Sequence, residues 1–148
     1  MNFNQLCEKE VLDFHSALEL WLGGHSSQDD QSYRRIADVL TQEFTYVPPE
    51  GEFVLRSQSV MALKQAYGAE GEAFKIKIEN MRTVISSTDL CMVVYEEWQK
   101  LPDKTTARQS TAVFQRKAGA PNDVEWVHVH ETWLPQEKVV AYASQHWV

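Results

Sequence analysis

The chain reads as an α+β fold, in which three helices from the N-terminal half pack on a strongly curved, cone-shaped antiparallel sheet. Three observations predict it. Apolar residues recur at helical spacing in the first third, strand patterns fill the rest, and turn signals divide those strands into consecutive hairpins. Helices followed by a run of strands place the helices on one face of an antiparallel sheet. The strand signals are longer than the ~5–6 residues of an ordinary strand, which implies strong curvature. A curved sheet closed by helices is a cone with a mouth, and ligand sites favour such concavities.

In chain order, Leu6, Val11, Phe14, Leu18, Trp21 and Leu22 stack on one helical face, and Gly23-Gly24 supplies the stop. The polar run His25 to Asp30 is a loop. A second helix follows with Tyr33, Ile36, Ala37, Leu40 and Phe44 as its buried stripe. Phe44 to Val47 begins an extended piece, Pro48-Pro49-Glu50-Gly51 turns it, and Phe53-Val54-Leu55 resumes it. A third helix, Ser57 to Tyr67, starts at a serine cap and ends at Gly68. Strand signals then run over Phe74–Ile85, Leu90–Gln99, Thr106–Arg116 and Val124–Leu134. Trp147, in the tail, has no assigned place.

A length of 148 residues fits one domain, residues 1–148. The apolar fraction of 43% and five tryptophans belong to a folded globule, not to a disordered segment. The net charge of -7, with no long Lys/Arg run, argues against nucleic acid as a partner. No apolar stretch approaches the ~20 residues that span a bilayer, and the N-terminus lacks a signal-peptide pattern. Cys7 and Cys91 belong to no metal or C-x-x-C spacing, so two reduced, buried thiols in a cytoplasmic protein are expected. There is no nucleophile elbow, phosphate-cradling loop or dinucleotide fingerprint. No cofactor is expected.

The last strand carries the most chemistry. Period-two alternation puts Val127, Val129, Glu131 and Trp133 on one face and Trp126, His128, His130 and Thr132 on the other. Two histidines on one face can begin a metal site, but nothing marks a third ligand, and no metal site is assigned. In Met92 to Trp98, one of the consecutive acids must face inward. With Met92, Val94 and Trp98 toward the core, that acid is Glu96, and a buried carboxylate either pairs with a cation or rises in pKa. Arg108 shares a face with Ser110, Ala112 and Phe114 and is the natural partner for Glu96 or Glu131.

The segments T-A-R-Q-S-T-A-V-F-Q-R-K (106–117) and W-V-H-V-H-E-T (126–132) resemble the final hairpin of the nuclear transport factor 2-like superfamily. The upstream helix order and the Phe-Thr-Tyr-Val…Pro-Pro-Glu-Gly segment extend the resemblance over nearly the whole chain, closest to small bacterial members beside the SnoaL-like cyclases and a kinase association domain. The resemblance implies a homodimer through the outer sheet face, with Val127, Val129 and Glu131 inside the cone. Trp126, His128, His130 and Thr132 would then face the partner subunit. The positions matching three pocket arginines of the kinase-association branch are Glu96, Ala112 and Glu131, so the charge there is reversed and that branch's anionic ligand is not carried over. Together these readings make the chain a binder of a small apolar or mixed-polarity molecule, or an isomerase-, cyclase- or dehydratase-type enzyme. An oligomerisation domain is the alternative. The expected pocket is Trp21, Tyr46, Trp98, Arg108, Ser110 and Trp133, with Glu96 and Glu131 as candidate acid–base groups.

Overall fold

The structure is a computed structural model, and it describes residues 1–147. Four helices and six strands follow one another as α1 (Phe3–Leu22), α2 (Asp30–Ala37), β1 (Leu40–Val47), β2 (Val54–Leu55), α3 (Arg56–Gln65), β3 (Lys75–Ser86), β4 (Leu90–Lys100), β5 (Thr105–Arg116), β6 (Val124–Trp133) and α4 (Gln136–His146). The sheet order is β2-β1-β6-β5-β4-β3. It is antiparallel except where β1 runs parallel to β6, so the sheet is mixed. Only α3 lies in the chain between β2 and the β3–β6 meander, and β1 meets β6 not through a hairpin but across that long connection.

The α1 helix begins with a reciprocal cap in which Asn2 and Gln5 each accept the other's backbone N–H at 2.9 Å. Its apolar stripe, Phe3, Cys7, Val11, Phe14 and Trp21, joins Cys91, Val93, Tyr95, Ala112, Phe114 and Trp126 in one core against the inner face of the sheet. Cys7 and Cys91 are both free and buried there. Asp29 caps α2 by accepting from Ser32 N–H at 2.9 Å.

The second helix ends at Ala37, and Leu40 and Phe44 lie on β1 instead. Residues four apart share a face of a strand as well as of a helix, so the spacing alone did not separate the two. The third helix starts at Arg56, with the Gln58 side chain accepting Leu55 N–H at 2.8 Å in place of a serine cap. The ends of α1 and α3 are tied together: Gly68 N–H donates to Trp21 O at 2.9 Å and Glu70 N–H to Leu22 O at 3.0 Å. Gly24 and Gly68 both take positive φ there, and a Cβ on Gly24 would stand 3.3 Å from Gly68 Cα.

Two register breaks in β3–β4 and one in β5–β6 bend the long strands. The β5–β6 break has the larger consequence. Val113 pairs with His128 and Phe114 with Trp126, leaving Val127 as an extra residue. Strand parity flips across it, so Trp126 lies on the same face as Val129 and Glu131.

The fourth helix was not expected. It covers the outer face at the far end of β4 and β5, where Trp98, Ala107 and Val139 form a second small core with Leu134, Tyr142 and Trp147 around it. Trp98 and Tyr142 stack at 4.0 Å.

Candidate functional site

Strand register assembles the site. On the inner face, Glu97 of β4 stands opposite Arg108 of β5, which stands opposite Trp133 of β6. One pair further along, Tyr95, Ser110 and Glu131 form a second row, and Ala112 with Val129 a third. Tyr46 of β1 pairs with Val129. From these rows Tyr95, Glu97, Arg108, Val129 and Glu131 floor a cavity of about 390 Å³ whose walls come from α1 (Phe14, His15, Leu18), β1 (Leu40, Phe44) and α3 (Ser59, Leu63). The volume lies in the ~300–1,000 Å³ range of small-molecule sites.

Four charged side chains meet there. His15 Nδ1–H donates to Val11 O at 2.7 Å, and Nε2–H to Glu97 Oε1 at 3.1 Å. A carbonyl and a carboxylate only accept, so the ring carries both protons and is an imidazolium. Burial opposes both charges. The proximity of Glu97 nevertheless raises the His15 pKa, and the imidazolium pulls the Glu97 carboxyl down to about 2. Gln99 Nε2 donates to the other Glu97 oxygen at 2.7 Å, fixing the carboxylate.

Glu131 is held differently. Tyr46 O–H donates to its Oε1 at 2.5 Å and Ser110 O–H to its Oε2 at 2.8 Å. Arg108 Nη1 stands 3.5 Å from Oε1, a loose contact. Burial and the nearby Glu97 charge push the Glu131 pKa up, more than Arg108 and the two hydroxyls lower it. Arg108 keeps its charge despite burial because Glu97 and Glu131 flank it. Its guanidinium lies 4.9 Å from the Trp133 ring centre, yet its Nε is buried without a hydrogen-bond partner among the described residues. Two carboxyls in one cavity are thus driven in opposite directions, the condition for distinct acid and base roles.

Of the residues expected from sequence, Tyr46, Arg108 and Glu131 line the cavity together. Ser110 sits directly behind Glu131, and Trp133, half-exposed, covers Arg108. The others lie elsewhere. Glu96 and Trp98 are on the outer face under α4, where Trp98 Nε1–H and Asn80 Nδ2–H donate to Glu96 Oε1 at 3.1 Å. The inward acid is Glu97, because Val93 and Tyr95, not Met92 and Val94, face the core. Trp21 packs between Tyr33 and Tyr67 and donates to Leu63 O at 2.7 Å, outside the cavity.

Trp126 does not stand on the outer face with His128. It is buried against Phe14 and Phe114, and it borders the cavity from within. His128, His130 and Thr132 remain on the outer face, where Thr45 Oγ1 and His128 Nδ1 are 2.8 Å apart.

Three polar groups went unread in the sequence: His15, Glu97 and Glu10. Glu10, fully buried in mid-helix, receives Arg35 through both oxygens (2.9 and 3.2 Å), Asn122 at 2.8 Å and Trp126 Nε1–H at 3.0 Å. This network fastens α1 to α2 and β6. His15 stands four residues after Val11 and beside Phe14, and that position on the buried stripe was the available signal.

Comparison with known proteins agrees with this architecture. A nuclear transport factor 2-like protein of unknown function from Pseudomonas aeruginosa has a TM-score of 0.79 at 22% identity, covering 88% of this chain and 99% of its own. The S. rosetta CaMKII hub has a TM-score of 0.70 at 15% identity, over 90% and 98% of the two chains. A protein described as a ketosteroid isomerase from Parabacteroides distasonis has a TM-score of 0.62 at 14% identity, over 92% and 91%. These likenesses establish the nuclear transport factor 2-like fold. Sucrose-phosphatases 1 and 2 of Nicotiana tabacum are 24% identical over 127 residues, covering 84% of this chain but only 30% of their own length. The family model for the C-terminal region of sucrose-6-phosphate phosphohydrolase matches residues 7–135, and the chain belongs to that family.

Proposed function

We propose that this domain binds a small molecule of mixed polarity in the cavity between α1, α3 and the inner sheet face. The observation that carries the reading is the concentration of His15, Glu97, Arg108 and Glu131 at one largely apolar cavity. Buried ion pairs seldom stabilise a fold more than apolar residues of the same size would, whereas perturbed titratable groups clustered in a cleft mark functional sites. Glu131, driven toward its neutral form, is the group suited to give or take a proton from the bound molecule, in chemistry of the isomerase or dehydratase type. Glu96, on the outer face, has no such access.

A screen of small acids, amides and alcohols by ligand-observed NMR tests the reading. Binding is expected in the wild type and should vanish in Val129→Phe and Leu18→Trp, which fill the cavity from two sides. No binding in the wild type, or equal binding in both filled variants, contradicts it.

A homodimer through the outer face of β6 is the second reading. It is favoured by the polar row of half-buried His128 and exposed His130 and Thr132 on that face, and by the resemblance to a hub domain. His128→Asp should then halve the mass seen by light scattering. A wild-type monomer removes it.

A further inference from the structure

The polar groups of the cavity are unequally satisfied, and the imbalance has one sign. Glu97 is fully engaged by His15 and Gln99, and Glu131 by Tyr46 and Ser110. Both acids therefore have donors of their own. Arg108 does not have acceptors to match. Among the described residues its five N–H groups make one hydrogen bond, the loose 3.5 Å contact to Glu131, and its Nε is buried without a partner. Ser59, on the α3 wall of the same cavity, also buries its Oγ without a partner. The Trp133 ring covers the guanidinium, and the Arg108 side chain is 13% exposed, so solvent reaches little of it. A buried cation with unused donors is costly unless an acceptor arrives.

Charge and shape narrow what can arrive. His15 and Glu97 neutralise each other, which leaves Arg108 and Glu131. Beside an incoming anion Glu131 takes up a proton, and Arg108 then faces a single negative charge. Phe14, Leu18, Leu40, Phe44 and Val129 make much of the remaining wall apolar, with Gln58 and Ser59 on the α3 side.

We propose that the cavity takes a monocarboxylate with an apolar body, its head group received by Arg108 and its body held against the aromatic and aliphatic wall. The charge reversal noted at positions 96, 112 and 131 does not oppose this. Glu96 and Ala112 do not border the cavity, and Glu131 is the acid able to become neutral. The groups that face Glu131 are Glu97 and Tyr95 from β4, Arg108 and Ser110 from β5, Tyr46 from β1 and His15 from α1. Of these, His15 and Arg108 are already charged, and the two tyrosines are held above their ordinary range by burial. Glu131 is thus the residue whose protonation follows the ligand.

The inference rests on the cavity being a binding site, and the test separates the two. Benzoate and its neutral isostere benzamide are titrated against the wild type, Arg108→Gln, Arg108→Lys and Glu131→Gln by NMR, with folding checked by circular dichroism. The wild type should prefer benzoate by about tenfold or more, as expected for a site built around a charged partner. Benzoate affinity should fall as pH rises, because Glu131 must hold a proton beside the bound carboxylate, and Glu131→Gln should bind benzoate with no such slope. Arg108→Gln should lose the preference. Arg108→Lys, which keeps the charge but not the fork, should lose part of it. Equal affinity for the two compounds, or a preference that survives Arg108→Gln, overturns the ligand class while leaving the binding site standing. If neither these compounds nor any member of the wider screen binds the wild type, the underlying reading fails as well.

Discussion

Replacing Glu97 by glutamine isolates the most deeply buried ion pair of the cavity. The change keeps the shape and the contact with Gln99 but removes the charge that holds the His15 imidazolium. In the folded protein burial pushes the Glu97 carboxyl up, but the charge and hydrogen bond of His15, with Arg108 and Gln99, together bring it down to about 2 against an ordinary 4.5. That depression corresponds to roughly 3 kcal/mol of stability, at about 1.4 kcal/mol per pH unit, consistent with the ~3–5 kcal/mol lost on breaking a buried pair. A carboxyl whose folded pKa is depressed contributes above its unfolded pKa and loses that contribution as pH falls through the folded value. His15 works in the opposite sense: its pKa is raised, so its contribution is complete below about 6.5 and fades as pH climbs through the folded value. Urea unfolding near neutral pH should therefore show Glu97→Gln less stable than the wild type by roughly 3 kcal/mol. The difference should shrink steadily once pH drops below about 4.5. A difference under about 1 kcal/mol near neutral pH, or one that does not change with acid, would refute the reasoning.

Other elements give sharper structural expectations. Glu10→Gln sets an amide N–H₂ against the donors of Arg35, Asn122 and Trp126 and should cost about 3 kcal/mol or more in the same urea assay; a loss below about 1 kcal/mol would show that the network does not fasten α1. Tyr142→Ala removes the ring stacked on Trp98 and should free α4, read as faster tryptic cleavage after Lys138 with little change in global melting. Unchanged cleavage would mean that α4 is held by something other than this pair.

The helical stripe of α1, the stop that ends α3, the long strands and the cone fold were legible in the sequence, because each rests on a local period or a local stop. The face assignments were not, for reasons particular to two strands. On β4 both faces are buried at one end, the inner by α1 and the outer by α4, so the run from Met92 to Trp98 lacks the polar alternation that reveals which side is in. Without α4 in view, Trp98 looked like an inward residue and took Glu96 with it. On β6 the extra residue Val127 shifts parity midway, so Trp126 goes inward while Glu131 stays inward. A bulge of that kind has no local sequence mark here. Glu131, Arg108 and Tyr46 were found because all three lie beyond the irregularities. His15 was hidden because a polar residue on a buried helical stripe gains meaning only from its partner on β4, distant in sequence.

Small-molecule binding at the inner face is the central claim, and mapping a bound probe onto the backbone tests it most directly. With labelled protein, titration of the tightest-binding carboxylate should shift amides at Tyr46, Ser59, Glu97, Arg108, Val129 and Glu131, all of which border the cavity. The shifts should disappear in Val129→Phe. Shifts confined to the outer face of β6 or to α2, or none at all at saturating probe, would contradict the account.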